Sequence, residues 1–138
     1  MKSMAIIIRD DSYDKILTPL GFAYLQGAEG CQVDILFVSW AVRALTEEGA
    51  SEISIREGHC EQEPWMRKQV ANAGFPENIR DLITAVHSTG SVNLYACSMA
   101  AKIFGVDDSN MIPESSGIVG SSWFLNEKAV PADYSQTF

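Results

Sequence analysis

Along the chain, short apolar runs with little polar alternation are separated by stretches whose apolar residues recur every three or four positions. The runs at residues 4–9, 32–38 and 92–96 have the pattern of strands covered on both faces, as in a parallel sheet. After the first run, Ile16, Leu20, Tyr24 and Gly27 fall at near-helical spacing, Thr18-Pro19 resembles an N-cap and N1 pair, and Gly30 resembles a stop. The spacing predicts a helix through about residue 28, with a separate turn near Ser12. "WMRKQVANAG" reads as a short helix ended by Gly74, and Ile79, Leu82, Ile83 and Val86 mark one face of another, with Pro76 near its start and Gly90 at its end. Beyond "VNLYA" the pattern predicts a turn at Cys97-Ser98, a short helix to Phe104, a fourth short strand in or beside "SSGIVG", a helix in "SSWFLNEKA" and a closing strand in "ADYSQTF".

The repeated strand–helix order predicts an α/β fold: a three-layer α/β/α sandwich with a mainly parallel sheet of about five strands, in a single domain spanning 1–138. One stretch departs from the alternation. Residues 46–63 are rich in glutamate and read as an acidic loop or excursion, either a solvated connection or a lid or partner-docking segment.

Charge and composition narrow the classes of function. Ten Lys and Arg stand against 18 Asp and Glu, a net charge of −8, so no nucleic acid binding is expected. The apolar run Met4 to Ile8 is far shorter than the roughly 20 residues of a membrane helix, and it is wrongly flanked for a secretory signal. No membrane span and a cytoplasmic location are the expectations. The three cysteines, Cys31, Cys60 and Cys97, are widely and irregularly spaced, which argues against a disulfide framework. His59 and His87 lie far apart and no Cys-x-x-Cys occurs, so no metal site is expected, and the pair His59-Cys60 reads as surface.

In a parallel α/β sheet, ligand sites gather at the carboxyl ends of the strands. That rule collects Asp10, Asp11 and Tyr13 after the first strand, Ser39 and Trp40 after the second, Cys97 and Ser98 after the third, and the turn from Gly117 to Gly120. Among these only Cys97 is a strong nucleophile. A helix starting at Ser98 would turn free backbone N–H groups towards its sulfur. The competing reading makes Cys97 a small buried hydrophobe among Tyr95, Ala96 and Met99. Cys31 reads as core packing, the tryptophans as packing residues, and the aspartates as helix caps. "GIVGSSW" lacks the spacing of a nucleotide loop.

The stretch "LYACSMAAKIFGVDDSNMIPESSGIVGSSWFLNEKA", together with "RDDSYDKI", "QVDILFVSWAVRAL" and "ADYSQTF", resembles the DsrE/DsrF-like proteins of the DsrEFH superfamily over nearly the whole chain. The most specific element is Ala96-Cys97-Ser98-Met99 in context with Gly105. The resemblance implies a sulfur carrier or sulfurtransferase in a sulfur relay. The cysteine matching Cys97 would hold sulfane sulfur as a persulfide and exchange it with a TusA-like or rhodanese-like carrier protein, and no cofactor would be required. It also implies a homo-oligomer, a trimer or hexamer. Asp11, Tyr13, Trp40, Ser98, Gly117 and Gly120 are the expected lining of the site. Some family members carry a second cysteine shortly before the one matching Cys97; here His87 occupies that neighbourhood, which leaves a one-cysteine scheme. The alternative is a non-catalytic subunit or interaction module.

Overall fold

A computed structural model describes residues 1–138. Five strands, β1 (Ser3–Ile8), β2 (Gln32–Phe37), β3 (Val92–Cys97), β4 (Ile118–Val119) and β5 (Tyr134–Thr137), form one sheet in the order β4-β3-β2-β1-β5. Every pairing is parallel, with Ile8 opposite Phe37, Phe37 opposite Ala96, and Cys97 opposite Val119. From β1 to β4 each step moves one strand in the same direction, and the chain then returns to the far edge for β5. Because parallel crossovers are right-handed, this last connection must lie on the opposite face from the earlier ones.

That reversal produces the three layers. On one face, Ile6, Ile8, Ile35, Phe37, Leu94 and Ala96 are buried beneath α1 (Tyr13–Ala28) and α4 (Ile79–Ser88). The helices meet them with Ile16, Leu20 and Ala23 from α1 and Leu82, Ile83 and Val86 from α4, all buried. Each large aliphatic side chain so covered contributes about 1.5–3 kcal/mol. On the other face lies a short helix (Ser121–Phe124) continued by a π-helical turn (Leu125–Ala129). Its Trp123 and Phe124 rings stand edge-on to Tyr95 of β3, with centroids 5.5 Å and 6.2 Å away. This layer is thin: of those nine residues only Phe124 is buried.

Several elements differ from the sequence expectation. The first helix begins at Tyr13, so Thr18-Pro19 lies in its interior. Ser12 sets the start: its backbone N–H donates to Asp10, and its carbonyl accepts from Lys15 and Ile16 at 3.0 Å and 2.9 Å. Pro19 removes one helical hydrogen bond, and the buried face from Ile16 to Ala23 holds the helix across it. Residues Ser39–Leu45 form a 3-10 helix with Ala41, Val42, Ala44 and Leu45 buried, an element absent from the pattern reading.

The acidic segment 46–63 is not a solvated loop throughout. It contains the helix α2 (Glu47–Ser51), capped where Thr46 Oγ1 accepts from Gly49 N at 3.0 Å. Ile53 and Ile55 alternate into the core and pin the stretch after α2, and a 3-10 turn covers Cys60–Gln62. The helix α3 (Glu63–Asn72) then runs with no fully buried residue.

Candidate functional site

Cys97 ends β3 and directly precedes α5 (Ser98–Phe104). Its backbone is extended, φ −67° and ψ 128°, while Ser98 is already helical, so the thiol stands where the chain leaves the sheet at its carboxyl edge. The neighbouring strand holds this turn in place: Ala96 N donates to Gly117 O at 2.9 Å. At its far end α5 closes on Gly105, whose φ of +67° is the left-handed conformation that glycine adopts without a Cβ penalty. Strand alternation sets Cys97 on the same sheet face as Asn93 and Tyr95.

Cys97 itself is only 3% exposed. On the helix that follows, Met99 and Ile103, one turn apart, are 68% and 69% exposed. Trp40 is 55% exposed and leans on Phe104 of α5, ring centroids 4.8 Å apart. The other thiols lie elsewhere. Cys31 is buried just before β2, at the amino edge of the sheet, and burial pushes its thiol up from the ordinary range. Cys60 is exposed in its 3-10 turn, and all three cysteines are free.

The expected lining residues separate into three groups. Asp11 and Trp40 do share a cavity of about 340 Å³, which also takes in Arg9, Asp10 and Lys15. Arg56 and Glu57 close it from the segment after α2. Ser98 is half-buried as the first residue of α5. Gly117, at φ +109°, presents the carbonyl that Ala96 uses, and Gly120 is exposed just before the Ser121–Phe124 helix. Tyr13 does not line this edge: it is fully buried, its hydroxyl donates to Glu77 O at 2.5 Å, and its ring lies under the Arg67 guanidinium, 4.2 Å away. A tyrosine as the first residue of a helix packed on a sheet points into the core interface, and burial raises its hydroxyl above the usual phenol range. His87 is exposed on α4.

Sequence reasoning missed the cationic members Arg9, Lys15 and Arg56. Arg9 was legible only as the last residue of the strand read at 4–9, and Arg56 comes from the segment read as an acidic excursion. Their pairing follows from the fold: Lys15 Nζ lies 3.5 Å from Asp10 and 3.4 Å from Glu57, and Arg56 lies 3.0 Å from Asp11.

Residues 2–127 match the DsrE/DsrF-like family. In three dimensions the chain is similar to the YchN protein of E. coli, with a TM-score of 0.68, 18% identity and 100% of each chain covered. It is also similar to MTH1491 of Methanobacterium thermoautotrophicum, a protein of unknown function, with a TM-score of 0.59, 13% identity, and 99% of this chain and 100% of that one covered. At these identities the two structures speak to the fold. No curated protein matches the chain in sequence.

Proposed function

The chain belongs to the DsrE/DsrF-like family, and from that premise we propose that it is a sulfur carrier or sulfurtransferase that holds sulfane sulfur as a persulfide on Cys97. The observation that carries this reading is the position of the thiol. Of three free cysteines, only Cys97 sits where a parallel strand ends at the carboxyl edge of the sheet and a helix begins. Cys31 sits at the opposite edge, and Cys60 lies on an outlying turn.

In the reaction the Cys97 thiolate attacks the outer sulfur of a donor persulfide. The new Sγ–S bond forms as the donor S–S bond breaks, and the donor thiolate leaves with the electron pair. An acceptor thiolate then attacks the outer sulfur of the Cys97 persulfide and regenerates the Cys97 thiolate. The sulfane sulfur moves without net oxidation, and the rate depends on thiolate fraction, access and leaving group. Because Cys97 is 3% exposed, each exchange requires the sheet edge to open locally. The acceptor is a TusA-like or rhodanese-like protein.

The test is the intact mass of the protein after polysulfide treatment, before and after reductant. Wild type should gain one sulfur that reductant removes, Cys97→Ala should gain none, and Cys31→Ala and Cys60→Ala should behave as wild type. Loading that survives Cys97→Ala sinks the assignment. A second reading, a non-catalytic subunit of a family oligomer, is favoured by the burial of Cys97 together with the exposed Met99 and Ile103 of α5. Absence of loading on the wild-type chain would select it.

A further inference from the structure

Arg9, Val38 and Cys97 stand in one row across the carboxyl edge of the sheet. Ile8 pairs with Phe37 and Phe37 with Ala96, Val38 N closes that register by donating to Ile8 O at 2.9 Å, and Arg9, Val38 and Cys97 are the next residue on each strand. Two strand spacings, roughly 10 Å, therefore separate the Arg9 and Cys97 backbones. The 340 Å³ cavity opens at the Arg9 end of this row, and its size falls within the range of small-molecule sites.

The charges in that cavity are balanced, three cations against three carboxylates, but they are not uniformly paired. Lys15 bridges Asp10 and Glu57, and Arg56 holds Asp11. Arg9 is exposed and takes part in no ion pair or side-chain hydrogen bond. Trp40 supplies an apolar wall. Ser39 beside it has φ +51°, the only left-handed backbone outside glycine in the chain, and such strain concentrates at ligand sites. With Arg56 paired to Asp11 and the single Lys15 shared by two carboxylates, the cavity keeps a positive end at Arg9 and one surplus negative charge at Asp10 and Glu57. A dipolar molecule meets complementary charge at both ends.

We propose that this cavity binds a small zwitterionic thiol or persulfide of the amino-acid or short-peptide type. Its carboxylate would sit on Arg9, its ammonium against Asp10 and Glu57, and its apolar portion against Trp40. Resting on the persulfide reading above, the bound persulfide is the donor to Cys97: Sγ attacks the outer sulfur, the donor S–S bond breaks, and the small thiolate departs with the electron pair and takes a proton from solvent.

The binding claim is tested first, with an unreactive probe. Calorimetric titration of the full chain with S-methylglutathione should give saturable binding that excess sulfate does not displace. Arg9→Ala should weaken it about tenfold, the loss typical of one charged contact, and Trp40→Ala to a similar extent, about tenfold, through the lost apolar wall, whereas Lys102→Ala, on the exposed side of α5, should leave it unchanged. Absence of saturable binding, equal binding by Arg9→Ala, or displacement by sulfate would overturn the proposal. Inorganic polysulfide provides the separating measurement. If it loads Cys97 while the probe does not bind, the cavity assignment fails alone; if the probe binds and no persulfide loads Cys97, the carrier reading fails and the ligand site stands.

Discussion

At Cys97 the chain changes from strand to helix within one residue, and the thiol is buried at that junction. The strand face packs the thiol inward, while the helix start leaves Met99 and Ile103 outside. The exposed thiol, Cys60, is therefore not the one at the carboxyl edge of the sheet. In a brief iodoacetamide pulse, peptide mapping should find Cys60 modified first and Cys31 and Cys97 largely protected, Cys31 further slowed by its raised thiol. Early modification of Cys97 would mean that the edge opens far more readily than its burial implies. Gly49 marks a different constraint, because a Cβ there would run into the backbone carbonyl of Arg43. Gly49→Ala should cost about 2–3 kcal/mol in urea unfolding, since neither backbone can yield without moving the Ser39–Leu45 helix or α2. The sequence offered burial of Cys97 as one of two readings and did not offer this close approach at all, since both depend on which segment lies across from which.

Between elements, the strongest polar tie is the cluster of Arg80 on α4 with Glu114, Thr84 and Glu47 of α2. Arg80 Nη1 donates to Glu114 at 2.6 Å, and Thr84 Oγ1 donates to the same carboxylate at 2.7 Å. These bonds hold the 9%-exposed Glu114 at about 2, against an ordinary value of 4.5. A folded-state value depressed in this way contributes stability that is complete above about pH 4.5 and is lost as pH falls towards about 2. The displacement corresponds to about 3 kcal/mol. Urea midpoints measured across that window should fall steeply for wild type and more shallowly for Glu114→Gln, which should start lower at neutral pH. The second face offers a contrast, for its short helix is anchored by one buried ring. Phe124→Ala should cost about 3–5 kcal/mol in the same assay. Periodicity announced α4 and the final helix but not the 3-10 helix Ser39–Leu45, whose apolar residues cluster too tightly for either helical or strand spacing.

For the whole molecule, Met99 and Ile103 of α5 and Trp40, which leans on Phe104 of the same helix, are large apolar side chains more than half exposed. We expect sedimentation velocity to report a multiple of 15.1 kDa, and the double change Met99→Glu, Ile103→Glu to yield a smaller species with unchanged circular dichroism. A single-chain mass for wild type would leave that surface to a different partner. The sequence by itself determined the order of strands and helices, the parallel sheet and the placement of Cys97 at its carboxyl edge, because short apolar runs without alternation, bounded by helical periodicity, admit few other folds. Only the tertiary structure decided that Cys97 is buried, that Tyr13 turns inward to Glu77, and that Arg9 stands unpaired in the row of Cys97 while Lys15 and Arg56 are neutralised. Periodicity records which face a residue presents along its own segment; register between strands distant in the chain decides what that face meets.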